Sequence, residues 1–434
     1  LAISNHTLAG VNIKNGNFYI SYTDHSFVAN GGLDLTRTYN SKATETGIFG
    51  YGWGSVIEDR LFFIGDGSIV LKYGGAGGQI NYVPLVSNQN LINRCVMQII
   101  TVMVKNNDLV STPVNLANEK LKLFSSSYRA TKWMKYAKMG LLKNETKPSG
   151  MYYAPDWYTN TLSFSNNSFV SNSFGGEKKY FDTIGNFTES RNKNNELLFA
   201  MQYDGNKLKT LTDGAGNKFE FEMDENGRVL TIGTSKGKST YKYDRENNLV
   251  MSQDIALNKY LHQYDKMHNM TQISYADNTH LKIEYDQNTF FVSQIINRDL
   301  SNIRYNYKNF YAADGSIDDN HYATWVLKKK PNSSLVDTTY YEYHYKNTAQ
   351  GNLYQYKFIK KEGNDYYESR SNALDYPIWV KHNAKQASFK HNSAGRLSEK
   401  ETTTYRIVVS YDKIHSEIAS IEKLNKKTGR KTLD

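Results

Sequence analysis

The stretch Tyr243-Asp244-Arg245-Glu246-Asn247-Asn248-Leu249 contains the pattern on which the fold of this chain depends. An aromatic residue or Met precedes Asp, a turn with Gly or Asn follows, and an apolar strand then begins. The same pattern starts at Phe181-Asp182, Tyr203-Asp204, Met223-Asp224, Tyr264-Asp265 and Tyr285-Asp286. These anchors follow one another at intervals of 20 to 22 residues, weaken after residue 286 and return at Tyr411-Asp412. A fixed interval of this length is typical of repeat architectures.

Each repeat period has room for two strands and two turns. The residues before Asp alternate, as at Phe219, Phe221 and Met223, and an alternation of period two places one set on one face of a sheet. A single hairpin is only marginally stable in water, so we expect successive hairpins to share one sheet. The sequence therefore predicts a mainly β fold, a coiling antiparallel sheet of stacked hairpins that forms a partial shell or spiral.

The anchors and their acids are predicted to be the structural repeat motif. They are Phe181, Asp182, Tyr203, Asp204, Tyr243, Asp244, Tyr264, Asp265, Tyr285, Asp286, Tyr411 and Asp412. Regularly spaced carboxylates have two interpretations, a calcium solenoid or aspartates that each accept hydrogen bonds from their own turn. Calcium loops use several acids in one loop, and most of these turns hold one, so the sequence favours turn-capping aspartates.

Two segments of different character precede the repeats. Residues 1–85 are rich in Gly turns and short alternating runs, which predicts an N-terminal β module. Residues 86–150 carry apolar side chains at helical spacing from Leu91 to Met103, and Thr112 followed by Pro113 is a favourable helix start. We therefore expect a helical insertion of two or three helices before the repeat array at 151–434.

Composition excludes several classes of protein. With 39% hydrophobic and 22% charged residues, the 434-residue chain is neither disordered nor membrane-spanning, and no transmembrane segment is expected. Its net charge is +10, but basic and acidic residues are interspersed, so no nucleic-acid partner is expected. The single cysteine, Cys95, excludes an intramolecular disulfide and a cysteine-based zinc site.

Two motifs in the N-terminal module are more specific than the repeats. Arg37-Thr38-Tyr39-Asn40-Ser41 precedes Phe49-Gly50-Tyr51-Gly52-Trp53, and both follow an opening at residues 11–19. In this order, and with the Tyr-Asp repeats, they resemble the YD-repeat proteins of the Rhs family, which include bacterial polymorphic toxins and the teneurins of animals. The resemblance implies repeats that coil into a large hollow β shell, which in many bacterial members encloses a C-terminal toxin domain. The helical insertion is not part of the family's general pattern.

The residues supply no catalytic or cofactor motif. The Gly-rich run at 74–78 lacks the Lys and Ser/Thr of a phosphate-binding loop, and neither Gly-x-Ser-x-Gly nor His-Glu-x-x-His occurs. His262 and His268 lie in one repeat, but His262 is expected on the same sheet face as Tyr264, whereas His268 is expected in the turn. We therefore expect no enzyme activity, no metal and no cofactor.

The functional hypothesis is an exported bacterial protein, periplasmic, cell-surface or secreted, with a signal peptide removed before Leu1. The first alternative is a scaffold or partial shell that encloses, holds or delivers a partner polypeptide, as in toxin delivery. The second is a cell-surface adhesion or carbohydrate-binding module, since flat aromatic rings stack on sugar faces. Its candidate residues are Trp157, Trp325 and Trp379.

One segment of the insertion is a candidate for partner contact. Residues 128–139 are basic and aromatic, and Lys132, Trp133, Lys135 and Tyr136 are the residues expected to contact a partner groove or a membrane surface. The other interpretation is an amphipathic lid that packs on the β scaffold.

Overall fold

Antiparallel strands dominate the chain. The computed structural model describes residues 8–26, 32–74, 78–144, 148, 150–155, 160–173, 175–347, 353–412 and 417–433. Packing divides the chain into unit 1, residues 1–10 and 18–278, and unit 2, residues 11–17 and 279–434.

The first 22 strands lie wholly or mainly in unit 1. They are β1 (Leu8–Asn12), β2 (Asn17–Ser26), β3 (Asp34–Asn40), β4 (Thr46–Gly47), β5 (Gly50–Tyr51), β6 (Trp53–Ser55), β7 (Arg60–Phe63), β8 (Ile69–Tyr73), β9 (Gly78–Pro84), β10 (Gly150–Tyr153), β11 (Thr161–Ser165), β12 (Ser168–Asn172), β13 (Lys178–Phe181), β14 (Phe187–Arg191), β15 (Leu197–Asp204), β16 (Lys207–Asp213), β17 (Lys218–Met223), β18 (Val229–Thr234), β19 (Gly237–Tyr243), β20 (Leu249–Gln253), β21 (Lys259–Tyr264) and β22 (Met270–Tyr275).

The other strands lie in unit 2. They are β23 (His280–Tyr285), β24 (Val292–Ile296), β25 (Asn302–Tyr311), β26 (Ile317–Lys329), β27 (Val336–Asn347), β28 (Leu353–Glu362), β29 (Asp365–Ser371), β30 (Pro377–His382), β31 (Lys385–His391), β32 (Leu397–Thr402), β33 (Tyr405–Tyr411), β34 (Ile418–Asn425) and β35 (Lys431–Leu433).

Each unit contains a ladder of sequential hairpins. In unit 1 the strands from β7 to β22 follow one another as hydrogen-bonded neighbours, and β1, β2, β3 and β6 form a separate four-stranded sheet, called here the N-terminal sheet. In unit 2 the strands from β23 to β35 continue in the same sequential order. Among the described residues this makes 29 ladder strands, which confirms the predicted mainly β, antiparallel repeat fold.

The turns between repeats use the aspartates as hydrogen-bond acceptors. Asp244 Oδ1 accepts from the backbone N–H of Glu246 (2.9 Å) and of Asn248 (2.8 Å), while its Oδ2 accepts from Asn248 Nδ2 at 2.9 Å. Asn247 takes a positive φ of 68°, which Asn tolerates better than most residues. The same carboxylate pattern closes the turns that begin at Asp182, Asp213, Asp254 and Asp265.

The helical insertion lies between two hydrogen-bonded strands, because β9 pairs with β10. Its helices are α1 (Gln89–Lys105), α2 (Pro113–Lys122) and α3 (Ser126–Lys138), and Thr112 caps α2 by accepting from the N–H of Asn115 at 3.3 Å. No helix within the described residues is long and apolar enough to span a membrane. The predicted insertion and its helix start are therefore present in the structure.

The insertion packs on the β scaffold of unit 1. Trp133 is buried against Gly65, where an added Cβ would lie 2.2 Å from the indole ring. Below it, Arg129 Nε donates to Asp66 Oδ2 at 2.6 Å, and both side chains are buried. The three sequence segments 1–85, 86–150 and 151–434 follow one another along the chain, but packing joins the first two, except residues 11–17, to the earlier repeats in one unit.

Candidate functional site: the two faces of the repeat sheet

Side chains of the repeat strands point alternately to two faces. We call the side that carries the repeat tyrosines the anchor face; it holds Tyr241 and Tyr243 in unit 1 and Val409 and Tyr411 in unit 2. The other side is called the opposite face. The strand registers carry these two faces from strand to strand within each unit.

Five tyrosines of the repeats use their hydroxyl group in the same way. Tyr243 donates to the carbonyl of Val229 at 2.7 Å, 14 residues earlier, and Tyr411 donates to the carbonyl of Leu397 at 2.9 Å over the same separation. The same bond is made by Tyr203, Tyr264 and Tyr307. The carbonyl belongs to a residue at the start of a neighbouring strand, so the hydroxyl gives a reason why most anchors are Tyr, although Phe181 and Met223 take the same position without this bond.

The other predicted motif residues lie in or beside turns. Phe181 is fully buried, and Asp286 accepts from the N–H of Thr289 at 2.8 Å. Asp204 ends β15 at an exposed position, where Gly205 and Asn206 form a short turn. Tyr285 ends β23, and Asp412 directly follows β33. The sequence reasoning did not identify Asp213 and Asp254, although their Asp-x-x-x-Asn spacing is the signal shared by the capped turns.

In unit 1 the N-terminal sheet packs directly on the anchor face. Trp53 Nε1 donates to the hydroxyl of Tyr264 at 3.0 Å, and Tyr39 donates to the carbonyl of His268 at 2.8 Å. Trp53 is fully buried, and the ring of His262, which belongs to the repeat strand β21, lies 5.6 Å from the indole. Burial lowers the pKa of His262 to about 3, so its imidazole is neutral in this core.

A buried ion pair connects the two layers of unit 1. Arg37 Nε donates to Asp24 Oδ2 at 2.8 Å, and a second guanidinium nitrogen donates to Ser252 Oγ at 2.8 Å. Tyr241 also donates to Asp24, at 2.8 Å. The guanidinium stacks over Trp53, 4.5 Å from the ring centroid, and Arg37 has no solvent exposure. The Arg-Thr-Tyr-Asn-Ser motif thus supplies residues that dock the N-terminal sheet onto the repeats.

The anchor face is less buried in the later strands of unit 2. Ile232, Leu249 and Ile273 in unit 1 have no solvent exposure. The corresponding residues of unit 2 are half-buried; they include Tyr367, Val380, Phe389, Ile407 and Val409. Lysines stand among them, with Lys400 over the ring of Phe389 and Lys423 over the ring of Tyr405. This part of the face is amphipathic.

A cavity of about 570 Å³ lies in unit 1 and includes a buried carboxyl group. Glu58 Oε2 accepts from the backbone N–H of Ile48 at 2.7 Å, whereas its Oε1 is buried without a hydrogen-bond partner. Burial raises the pKa of Glu58 to about 8, against the lowering effect of the backbone hydrogen bonds. The neighbouring carboxyl of Asp59 is 2.6 Å from Lys179 Nζ. No nucleophile is paired with a base within the described lining of this cavity.

The opposite face of unit 2 carries one cluster with the donor set of a metal site. His321, Glu342 and His344 each offer a ligand atom, and these atoms lie within 4.8 Å of one another. Burial lowers the pKa of His344, while for Glu342 the hydrogen bonds from His321 and Tyr340 outweigh burial and hold the pKa below its ordinary value. The sequence reasoning missed this cluster, although Glu342-Tyr343-His344 places a carboxylate and an imidazole on one strand face.

The proposed partner-contact residues on α3 have two different positions. Trp133 and Tyr136 are buried in unit 1, with 1% and 0% exposure, so the prediction that they contact a partner is wrong. Tyr136 donates to Asp108 Oδ2 at 2.6 Å and packs in the core of the insertion. Lys132 is half-buried over the ring of Tyr128, and the exposed Lys135 pairs with Asp108 at 2.8 Å. The helix is a lid on the scaffold.

The candidate sugar-stacking residues are also placed by the structure. Trp325 and Trp379 are half-buried and lie on the opposite face of unit 2, whereas Trp157 lies outside the described residues. The Trp325 ring centroid is 4.9 Å from that of Tyr340, and the guanidinium of Arg370 lies 4.8 Å over Trp379. One side of each indole is therefore in contact with a neighbouring side chain.

Comparison with known proteins gives one family match. Residues 9–82 match the family model described as "Domain of unknown function (DUF6531)", a domain found in Rhs- and YD-type proteins. The match covers the N-terminal sheet and the first strands of the ladder. No curated protein matches the sequence.

A search of solved structures gives several matches of low sequence identity. A crystal structure of TcdB2-TccC3-TEV is 10% identical, with a TM-score of 0.39, and the match covers 96% of this chain and 22% of that one. A TcdB2-TccC3 structure without its hypervariable C-terminal region is 11% identical, with a TM-score of 0.38 and coverages of 95% and 21%. The Photorhabdus luminescens Tc holotoxin pore, with a TccC3 mutation, is 11% identical, with a TM-score of 0.37 and coverages of 65% and 16%. The chain thus spans about a fifth of the length of these proteins.

Proposed function

We propose that this chain is a non-enzymatic, exported scaffold of the Rhs type, and that the anchor face of unit 2 holds a further polypeptide. One observation carries the proposal. Where the N-terminal sheet covers it in unit 1, the same face is buried, as at Tyr241 and His262, but it is half-buried over β29–β34 in unit 2. A sheet face that carries Phe, Tyr, Ile and Val at alternate positions gains stability when a second layer removes those side chains from water.

The composition of that face favours a polypeptide that is held and released, and does not favour a second layer that is a permanent part of the core. Permanent cores exclude charged groups, because a buried unpaired charge is costly. Lys400 and Lys423 place ammonium groups over Phe389 and Tyr405, and ammonium groups beside aromatic rings remain compatible with water. A polypeptide bound here makes apolar contacts with the rings and keeps the lysines solvated, and such a surface can release what it binds.

Val408 and Val409 give a matched pair for the test. Both are half-buried residues of β33, but Val409 belongs to the anchor face and Val408 to the opposite face. A photo-crosslinking amino acid is introduced at either position in the cells that produce the protein. After irradiation, crosslinked peptides are identified by mass spectrometry.

We expect the crosslinker at position 409 to capture peptides from outside residues 1–434, either from a longer product of the same gene or from a separate chain. The crosslinker at position 408 is expected to capture far less of them. Equal capture at both positions, or crosslinks from position 409 only to other parts of this chain, would contradict the proposal.

The carbohydrate-binding alternative rests on a different face. Trp325, Tyr340, Tyr366 and Trp379 are half-buried aromatics on the opposite face of unit 2. Arg370 over Trp379 and Tyr340 beside Trp325 reduce the ring area that a sugar can reach. Binding of the full chain to a glycan array, abolished by Trp379→Ala and retained in Val409→Asp, would favour this alternative over a polypeptide scaffold.

A further inference from the structure

The cluster of His321, Glu342 and His344 on the opposite face of unit 2 has the chemistry and the geometry of a metal site. His321 on β26 and His344 on β27 are direct cross-strand neighbours, and Glu342 lies two residues before His344 on the same face. Glu342 Oε1 is 2.8 Å from His321 Nε2 and 3.0 Å from His344 Nε2. The two imidazole rings stack with their centroids 4.0 Å apart.

One atom of the cluster has no hydrogen-bond partner. His344 Nε2 is buried and makes no hydrogen bond, although it lies 3.0 Å from Glu342 Oε1. A buried polar atom without a partner is costly and uncommon, and binding an ion is one way to satisfy it. This nitrogen and His321 Nε2 both lie within 3.0 Å of Glu342 Oε1, so a cation among the three atoms would contact all of them.

Neighbouring side chains hold the ligand groups in position. Tyr340 donates to Glu342 Oε2 at 2.7 Å, which leaves Oε1 for the two histidines. Phe310 stacks on His321 with a centroid distance of 3.6 Å and an interplanar angle of 4°, which restricts that ring. Ala323 is the cross-strand neighbour of Glu342, and its small side chain leaves room for the carboxylate. Orienting contacts of this kind are typical of metal sites.

We propose that His321, Glu342 and His344 bind a divalent transition-metal ion, Zn²⁺ by preference, that links β26 to β27. Two imidazoles and one carboxylate suit Zn²⁺ and not Ca²⁺ or Mg²⁺, which take oxygen ligands. Zinc bonds of about 2.0–2.2 Å in a tetrahedron place ligand atoms about 3.3 Å apart, a few tenths of an ångström more than the two separations here. The protein supplies three ligands, and water or a partner residue takes the fourth position.

The test uses the full chain after removal of metal with a chelator. Titration with Zn²⁺ in a calorimeter is expected to reveal one tight site per chain. Titration with Co²⁺ is expected to give visible absorption bands of low-symmetry, four-coordinate cobalt. Glu342→Gln and His344→Asn each remove a ligand and are expected to weaken Zn²⁺ binding by about 100-fold, and Tyr340→Phe by about tenfold.

His382→Asn is the matched control. His382 Nε2 is 2.7 Å from Asp365 Oδ1 on the same unit, but this exposed pair is not part of a three-ligand cluster among the described residues. Its loss is expected to leave the tight site and the cobalt spectrum unchanged. Hydrogen exchange of β26 and β27 in the metal-free variants checks that they fold.

Two results would overturn the proposal. One is an unaltered chain that binds neither Zn²⁺ nor Co²⁺ at a single tight site, which needs no variant to fold. The other is Zn²⁺ binding that Glu342→Gln and His344→Asn both leave as tight as in the unaltered chain.

Discussion

The two units build the anchor face from the same kinds of residue, yet they bury it to different depths. In unit 1, Ile232 and Ile273 have no exposure and lie beneath the N-terminal sheet. In unit 2, Ile407 and Val409 stay half-buried, although Tyr411 makes the same hydroxyl bond as the anchors of unit 1. Tyr-Asp repeats therefore specify strand pairing and turns by themselves, whereas a dry core requires a second layer.

The largest expected effect of breaking this second layer comes from Arg37→Met. The variant leaves Asp24 buried without its guanidinium and removes the bond to Ser252. Loss of one partner of a buried pair costs about 3–5 kcal/mol. The measurement is amide hydrogen exchange at increasing urea concentration, read separately in peptides of unit 1 and unit 2. We expect protection to fall across the unit 1 repeats.

Arg406→Met is the control for that prediction. Arg406 pairs with Glu399 in unit 2, but about half of its side chain is exposed. Water reaches the exposed guanidinium, and Lys390 also pairs with Glu399 at 3.2 Å, so we expect a much smaller loss of stability in unit 2 than Arg37→Met causes in unit 1. If both variants lost hydrogen-exchange protection equally, burial under the N-terminal sheet would not be what makes the Arg37–Asp24 pair more important for stability than the Arg406–Glu399 pair.

The next effect compares apolar residues on the same face. Ile232→Ala opens a cavity at a fully buried position, and we expect a loss of about 3 kcal/mol from the stability of unit 1. Ile407→Ala removes a half-buried side chain of unit 2, and we expect a loss of about 1 kcal/mol. Urea-dependent hydrogen exchange measures both. If Ile407→Ala lowers stability as much as Ile232→Ala does, the anchor face of unit 2 is shielded from water as fully as that of unit 1.

The repeats could be predicted from the sequence because the interactions that form each hairpin and its turn join residues close together in the chain. Period-two alternation and Asp-containing turns act within about ten residues, and the structure has strands and capped turns where they predicted them, as at Asp244. The helix start at Thr112 and Pro113 was predictable for the same reason. Asp204 lies in a shorter turn than the repeat pattern implies, because Gly205 and Asn206 suffice to connect β15 to β16.

Contacts between distant parts of the chain were not predictable in this way. Trp133 has the sequence context of a surface helix, and it is buried because Gly65, 68 residues earlier, leaves space for its ring. His321 and Glu342 are brought together only by the register of β26 with β27. The docking role of Arg37 likewise depends on Ser252, which no local pattern connects to it.

The third prediction concerns pH and the carboxyl group of Glu58. Its pKa of about 8 lies above the ordinary value of 4.5, so the folded chain holds a proton that the unfolded chain loses. Unit 1 is therefore expected to lose stability as the pH rises from about 4.5 to 8. Glu58→Gln removes this cost, and we expect a gain of about 2 kcal/mol at pH 9 with little change at pH 4. Hydrogen exchange across this pH range, corrected for intrinsic exchange rates, measures it.

Two carboxyl groups of unit 2 are expected to give the opposite pH dependence of stability. For Glu368, hydrogen bonds from Tyr366 and Arg370 outweigh burial and lower the pKa, and for Glu399 the hydrogen bond from Arg406 is the main cause of a lowered pKa. A carboxyl group with a lowered pKa stabilises the fold above its ordinary pKa, and the contribution is lost as the pH falls. We expect these carboxyl groups of unit 2 to lose their stabilising contribution below about pH 4.5, where the contribution of Glu58 to unit 1 is fully present. If the stability of both units depended on pH in the same way, the opposite effects assigned to Glu58 and to the carboxyl groups of unit 2 would be wrong.

The smallest effect separates what the anchor hydroxyl contributes from what the second layer contributes. Tyr264→Phe removes a donor to the carbonyl of Leu249 and also the acceptor of the buried Trp53 N–H, so we expect a cost of about 1.5 kcal/mol. Tyr411→Phe removes only the bond to Leu397 at a half-buried position, where water can substitute, and we expect about 0.5 kcal/mol. Urea-dependent hydrogen exchange in the peptides of β20 and β32 measures the two costs side by side. Equal costs would mean that the repeat tyrosine acts through its own hairpin alone, whereas a larger cost for Tyr264 assigns the difference to Trp53 and the N-terminal sheet.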